Sequence, residues 1–163
     1  MEGKAVSLDE QIQTLLAEAP QEGLMPQAME AIAPVLKHLA EQFHQEQYFI
    51  LQSLEGNWQI TTLRHRTQPQ LEKKVIYAYS TLADATRAGQ DAHLMAKSIP
   101  IIPLLFQLIA IPDLDSLLVL SSQAGASESL EIAQADLRNL IQRQIDQVLP
   151  QTDPSAQPPQ YWA

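Results

Sequence analysis

The sequence has no cysteine, few glycines and no long uninterrupted apolar run, and each shortage excludes a class of protein. Without cysteine the chain forms no disulfide, no thiolate zinc site and no cysteine nucleophile. The five glycines never form a Gly-x-Gly-x-x-Gly or P-loop pattern, which argues against dinucleotide and P-loop phosphate binding. We therefore predict no bound cofactor.

Catalytic and metal-binding patterns are also scarce. No Gly-x-Ser-x-Gly elbow occurs and no histidine follows His93, so a serine hydrolase triad is nearly excluded. Glu41 and His44 share one helix face, but a di-iron site needs a second such pair, and a solvated face is favoured. Asp113 and Asp115 indicate a turn and a cap rather than a magnesium site. We predict no catalytic residue and no metal site; a non-enzymatic role is favoured, and enzyme activity stays open.

The longest apolar block, residues 99–112, is interrupted by Pro100 and Pro103 and ends at Pro112. It has fourteen residues, whereas a membrane span needs about 20. We interpret the block as buried core and expect no membrane span. The N-terminus lacks a basic region followed by a long apolar stretch, so the sequence predicts a cytoplasmic protein.

Charge is unevenly distributed along the chain. The formal net charge is −9, yet residues 64–74 alone carry +3, so the remainder carries −12. An acidic protein of this kind does not favour generic binding to nucleic acid or to anionic membranes. The basic segment is therefore a local feature that needs its own explanation.

Apolar periodicity predicts helices and strands in alternation after a helical start. A capping box at Ser7 opens the first helix, and Pro34 predicts a kink or a fresh start in the second. Thr81 and Gly89 cap a short helix, and a further helix begins at Pro100 or Pro103. Three further helices are predicted over residues 7–19, 25–43 and 135–149. The predicted strands begin with a hairpin of residues 48–54 and 58–63. They continue with residues 75–80, 93–99 and 116–121 and a brief extended piece at 130–132.

These elements predict an α/β fold, with α+β as the alternative. We expect a single small domain with a mixed sheet of about five strands and a C-terminal helix. Residues 1–46 are predicted to form a helical N-terminal arm packed on the domain, 47–149 the α/β domain, and 150–163 a flexible proline-rich tail.

The order of elements over residues 48–141 resembles the N-terminal domain of the SseB family. The likeness lies in a first hairpin, a strand with aromatic residues that runs into Ser80 and Thr81 as helix caps, and a proline-led helix before the last core strand. The helical extension makes the chain more similar to stand-alone cyanobacterial or plastid-lineage members. The resemblance implies an α/β domain without an established catalytic set, so it transfers no active-site residues.

Two segments are candidates for binding a partner. The basic segment combines long hydrogen-bond donors with positive charge on an acidic protein, which suits an acidic protein surface. The tail ends in two aromatic residues that are unfavourable in water and enriched at interfaces, and they dock either on their own chain or on a partner. The candidate residues are Arg64, His65, Arg66, Lys73, Lys74, Tyr161 and Trp162.

The leading hypothesis from sequence is a non-enzymatic interaction, assembly or regulatory module. The first alternative is a small-molecule-binding domain or enzyme whose pocket joins residues such as Arg64, Tyr77, Tyr79 and His93. The second is a weak nucleic-acid binder that uses the basic segment. The helix of residues 25–43 packs either on its own sheet or on a second copy, which leaves a homodimer open.

Overall fold

A computed structural model describes residues 7–43, 45–89, 93–123 and 126–148. Within these ranges, helices surround one mixed sheet, which confirms the predicted α/β class and the single small domain. The elements are α1 (Leu8–Glu18), α2 (Met25–Ala40), β1 (Gln47–Ser53), β2 (Thr61–Arg64), β3 (Glu72–Tyr79), α3 (Leu82–Ala88), β4 (Leu94–Pro100), α4 (Ile101–Ala110), β5 (Ser116–Gln123), β6 (Ala126–Ala133) and α5 (Gln134–Val148).

The sheet has the strand order β4-β1-β3-β5-β6, with β2 added beside β3. Strands β3 and β5 are parallel, in a register that pairs Val75 with Ser116 and Tyr79 with Leu120. The other pairings are antiparallel. The central strands β1, β3 and β5 therefore have neighbours on both sides, and they contribute most of the buried strand residues.

The predicted hairpin of residues 48–54 with 58–63 is only partly correct. Its turn forms, and Trp58 makes an isolated bridge to Gln52. The chain then leaves β1, and β2 pairs with the first half of β3 instead. One edge of β1 is taken by β4, and Phe49 on the other edge already pairs with Tyr79. The free edge left for the returning chain is therefore the first half of β3.

Two other boundaries differ from the sequence prediction. The brief extended piece expected at residues 130–132 is the eight-residue strand β6, which pairs along the whole of β5. Strand β6 lies at the edge of the sheet, where polar residues such as Ser and Glu are tolerated. Its alternation of apolar and polar residues was therefore too weak to predict a strand of this length. Helix α2 ends at Ala40 rather than at Phe43 and continues through Pro34 as one helix.

Local capping signals were reliable. Ser7 accepts a hydrogen bond from the backbone N–H of Glu10 at 3.2 Å, and Thr81 accepts one from that of Asp84 at 3.1 Å. Gly89 ends α3, and a Cβ there would lie 2.6 Å from a terminal methyl of Leu51. A side chain at this position would have to displace the end of Leu51, so glycine permits the close approach to the sheet without that shift.

The core lies on one face of the sheet. Helices α1, α2, α4 and α5 pack there against strand residues such as Tyr48, Ile50, Ile76 and Leu117. The opposite face carries the smaller cluster of Leu51, Tyr79 and Ala85, where α3 packs. No helix in the described ranges has both the length and the apolarity to cross a membrane.

Helix α4 is held at its start by groups from elsewhere in the chain. Pro100 and Pro103 have no backbone N–H, so only two N–H groups in the first turn need outside partners. That of Ile101 donates to the Glu46 carbonyl at 2.9 Å, and that of Ile102 donates to Oε1 of buried Gln11 at 2.8 Å.

The other end of α4 is capped in the same way. Nε2 of Gln134 donates to the carbonyls of Leu108 and Ile111, each at 2.7 Å. Arg138 donates to the carbonyl of Ile109 through two nitrogens, at 3.1 and 2.7 Å. The position of α4 is thus fixed at both ends by polar side chains of α1 and α5.

Candidate interaction surface

The basic segment is a β-hairpin rather than a single connecting loop. Arg64 ends β2, Lys73 and Lys74 belong to β3, and only residues 65–71 form the connection. Nδ1 of His65 accepts hydrogen bonds from the backbone N–H groups of Thr67 and Gln68, each at 3.2 Å. His65 therefore has a structural role in the turn.

Ion pairs offset part of the positive charge of this hairpin. Arg64 contacts Glu72 at 3.2 Å, and Lys73 contacts Glu131 on β6. The hydrogen bond from Lys73 is the main cause of a lowered pKa at Glu131, and a 2.6 Å bond from the Ser116 hydroxyl adds to it. With Glu131 counted, the local net charge falls from +3 to +2.

Arg66 and Lys74 remain available for a partner. In the described ranges, neither side chain takes part in a salt bridge. The backbone of Lys74 is held by Asp115, whose carboxylate accepts its N–H at 2.7 Å. Asp115 is thus a turn residue, as predicted, and Asp113 beside it adopts a positive φ of 57°. The other candidates, Tyr161 and Trp162, lie outside the described residues.

The structure does not bring together the residues of the proposed scattered pocket. Tyr77 and Tyr79 lie on one face of β3, with ring centroids 6.2 Å apart. Burial, and to a lesser degree Tyr77, raises the pKa of Tyr79. Arg64 pairs with Glu72 at the start of β3. Glu72 is five residues before Tyr77, so Arg64 lies about 17 Å from Tyr77 along the strand. His93 precedes β4, which β1 separates from β3.

No possible metal site is present among the described residues, where no three His, Asp or Glu side chains converge. Glu41 caps the end of α2, and its predicted companion on that face, His44, lies outside the described residues.

A concave surface follows the outer face of α4. Three adjoining cavities of about 480, 340 and 300 Å³ share Gln107 in their linings. The largest lies between α4 and Trp58, and the second between α4 and the first two helices. We call this surface the α4 groove. Its main lining residues are Leu15, Met25, Met29, Trp58, Ile60, Pro103, Phe106, Gln107 and Ala110.

The composition of α4 explains why its groove is apolar. Ile101, Ile102, Leu104, Leu105 and Leu108 are buried in the core. The outward face consists of four residues with the spacing i, i+3, i+4 and i+7, which places them in one stripe along the helix. None of the four is charged: they are Pro103, Phe106, Gln107 and Ala110.

The prediction that residues 99–112 are buried core is therefore right for one side of α4 and wrong for the other. The missed signal is Gln107, the only polar residue of α4, which lies at the centre of the face that the core does not cover. Trp58 is half-buried: it packs against the main core and also lines two of the cavities.

Charged groups lie only at the margins of the α4 groove. Glu18 lines the cavity beside α1, and Lys97 on β4 lines the smallest cavity. The other lining residues are uncharged. Such a surface favours apolar and aromatic ligand groups, with a charge preference only beside Glu18 and beside Lys97.

Comparison with known proteins adds no family to this description. No protein-family model matches the chain, and no curated protein matches its sequence. The resemblance to the SseB family accordingly stays a prediction from sequence.

Proposed function

We propose that this protein is a non-enzymatic interaction module that binds a protein partner through the α4 groove. The observation that carries the proposal is the open outer face of α4, where Phe106 and its neighbours carry no charge on a protein of net charge −9. Gln107 is the only polar residue of α4, and a helix this apolar is normally covered over most of its surface. A partner that supplies the missing cover would bury this face.

The form of the groove supports binding of a peptide or helix. The linings of the three adjoining cavities together include α4 residues from both ends of the helix, a length of about 15 Å for ten residues. Trp58, Phe106 and Met25 are of the residue types enriched at the centres of interfaces. The caps supplied by Gln11 and Gln134 hold α4 in place, so the groove is formed before binding.

The basic hairpin is a second candidate surface for the same function. Arg66 and Lys74 support it, because they carry positive charge that no ion pair in the described ranges offsets. Charges at the rim of an interface mainly affect the association rate and its salt dependence. The hairpin would therefore steer an acidic partner while the groove supplies the affinity.

Affinity capture from a lysate of the source organism tests both surfaces. The full-length protein is compared with Gln107→Arg, which puts a charge at the centre of the groove on an exposed helix position. Gln142→Arg is the matched control, since it makes the same change at an exposed site on α5 outside the groove. The variant Arg66→Glu/Lys74→Glu reports on the hairpin.

A partner retained by the wild type and by Gln142→Arg, but reduced at least about tenfold by Gln107→Arg, is the expected result; this corresponds to about 1.4 kcal/mol. A partner that is insensitive to Gln107→Arg and lost from the hairpin variant would move the binding site to the hairpin. Capture of the same proteins by all four forms would refute the proposal.

A further inference from the structure

We infer that the C-terminal segment, residues 150–163, binds in the α4 groove of its own chain and competes there with an outside partner. The inference rests on the proposed function in using the same groove, and it names the occupant. The chemistry of the segment, its reach and its charge each support this assignment.

The chemistry of the segment matches the lining of the groove. Residues 150–163 contain four prolines together with Tyr161 and Trp162. Proline-rich chains favour an extended helix with a low entropic cost of ordering, and they bind in grooves lined by aromatic side chains. In the α4 groove, Trp58 and Phe106 supply aromatic surface beside the apolar side chains of Ile60 and Met25.

The segment is long enough to reach the nearer end of the groove. Helix α5 begins against the C-terminal end of α4 through Gln134, and its 15 residues are about 22 Å long. Adding the width of α4, about 10 Å, places the cavity beside Ala110 within about 32 Å of the end of α5. The 14 residues from 149 to 162 span about 43 Å in the polyproline conformation.

Charge is compatible with this pairing. Asp153 is the only charged side chain in residues 150–163. The lining contains one cationic residue, Lys97, and one anionic residue, Glu18, and the cavities of both adjoin Pro103 and Gln107. A segment with a single charge therefore meets little repulsion in the groove.

Binding within one chain is favoured by proximity. A short flexible connection gives an effective concentration of about 1 mM, so a segment with an intrinsic Kd of about 100 µM would occupy its own groove some 90% of the time. Such occupancy raises the apparent Kd of a competing ligand about tenfold. The groove would then open to a partner only when the segment is displaced.

The test uses a fluorescently labelled synthetic peptide of residues 150–163 and full-length protein. Fluorescence polarisation measures peptide binding to the wild type and to Tyr161→Ala/Trp162→Ala, in which the resident segment is weakened. Gln107→Arg and its control Gln142→Arg are each added to the double variant. Size-exclusion chromatography over a hundredfold concentration range reports on exchange between copies.

We expect the peptide to bind the double variant about tenfold more tightly than the wild type. Gln107→Arg should abolish this binding and Gln142→Arg should retain it. Equal binding to wild type and double variant, no binding to the double variant, or binding that survives Gln107→Arg would each overturn the inference. Dimers that form at high concentration in the wild type but not in the double variant would show that the segment binds a second copy. That result would overturn the inference that it binds its own chain.

Failure of this inference and failure of the proposed function have different signatures. If the peptide does not bind but partner capture still depends on Gln107, only the competition by residues 150–163 is refuted. If the peptide binds and no partner depends on Gln107, the groove is a self-binding site and the outside partner is refuted. If both are correct, Tyr161→Ala/Trp162→Ala captures more partner than the wild type.

Discussion

Gln11 is a buried polar residue whose two side-chain ends both hold the start of α4. Its Oε1 accepts the Ile102 N–H at 2.8 Å, and its Nε2 donates to the Glu46 carbonyl at 2.9 Å. Only 2% of Gln11 is exposed, so water does not replace these partners. Gln11→Met keeps the size of the side chain and removes both hydrogen bonds.

The expected cost follows from what each partner loses. The Ile102 N–H becomes a buried donor without an acceptor, which costs about 1–3 kcal/mol. The Glu46 carbonyl keeps its second bond, from Ile101 N–H at 2.9 Å, so it adds little. Burial of a thioether in place of an amide offsets part of the loss. We expect a net loss of about 1–2 kcal/mol in the free energy of unfolding.

Urea denaturation followed by circular dichroism measures this loss. With an m-value of about 2 kcal/mol per M, the midpoint should fall by about 0.5–1 M. Gln13→Met is the matched control, because Gln13 is exposed on the same helix and should change stability by no more than about 0.5 kcal/mol. Equal stability of the two variants would refute the capping role of Gln11.

Three further predictions concern other parts of the fold. Glu131→Gln removes a carboxylate whose pKa is lowered by the hydrogen bond from Lys73. Because the pKa is lower in the folded state, the ion pair stabilises the fold at neutral pH, and its contribution of about 0.2–1 kcal/mol is lost as the pH falls through that pKa. Acid titrations should therefore show a smaller loss of stability for the variant than for the wild type. Gly89→Ala places a methyl against Leu51 and should cost about 1 kcal/mol in urea denaturation, with part of the loss recovered by Leu51→Val; full stability of the single variant would contradict the contact. The Ser80 hydroxyl is buried without a hydrogen-bond partner, so Ser80→Ala should raise the thermal midpoint or leave it unchanged, and a clear decrease would show that the hydroxyl is bonded.

Signals confined to a few neighbouring residues predicted the structure well. The caps at Ser7, Thr81 and Gly89 lie where the sequence placed them, because a cap depends on its own turn of the helix. The apolar spacing of α1 and α5 likewise gave these helices within two residues of their observed ends. Local chemistry thus located most of the helices.

Strand pairing was predicted less well, since it depends on which edges are free. Trp58 stays beside β1 as expected, but β2 pairs with β3 because β1 already has neighbours on both sides. The roles of Gln11 and Gln134 were also missed. Both lie on helices and resemble the exposed glutamines in sequence, and only the packing of α4 between α1 and α5 buries them.

The sequence by itself determined the α/β class and the helix caps, because composition and spacing are enough for these features. Only the tertiary structure decided which side of α4 is covered. Gln107 is the only polar residue that distinguishes the face of Leu104 and Leu108 from the face of Phe106 and Ala110, and one residue does not predict which neighbours pack on each face. The core against the sheet buries the first face, whereas on the second face Phe106 is only partly covered and Gln107 and Ala110 are exposed.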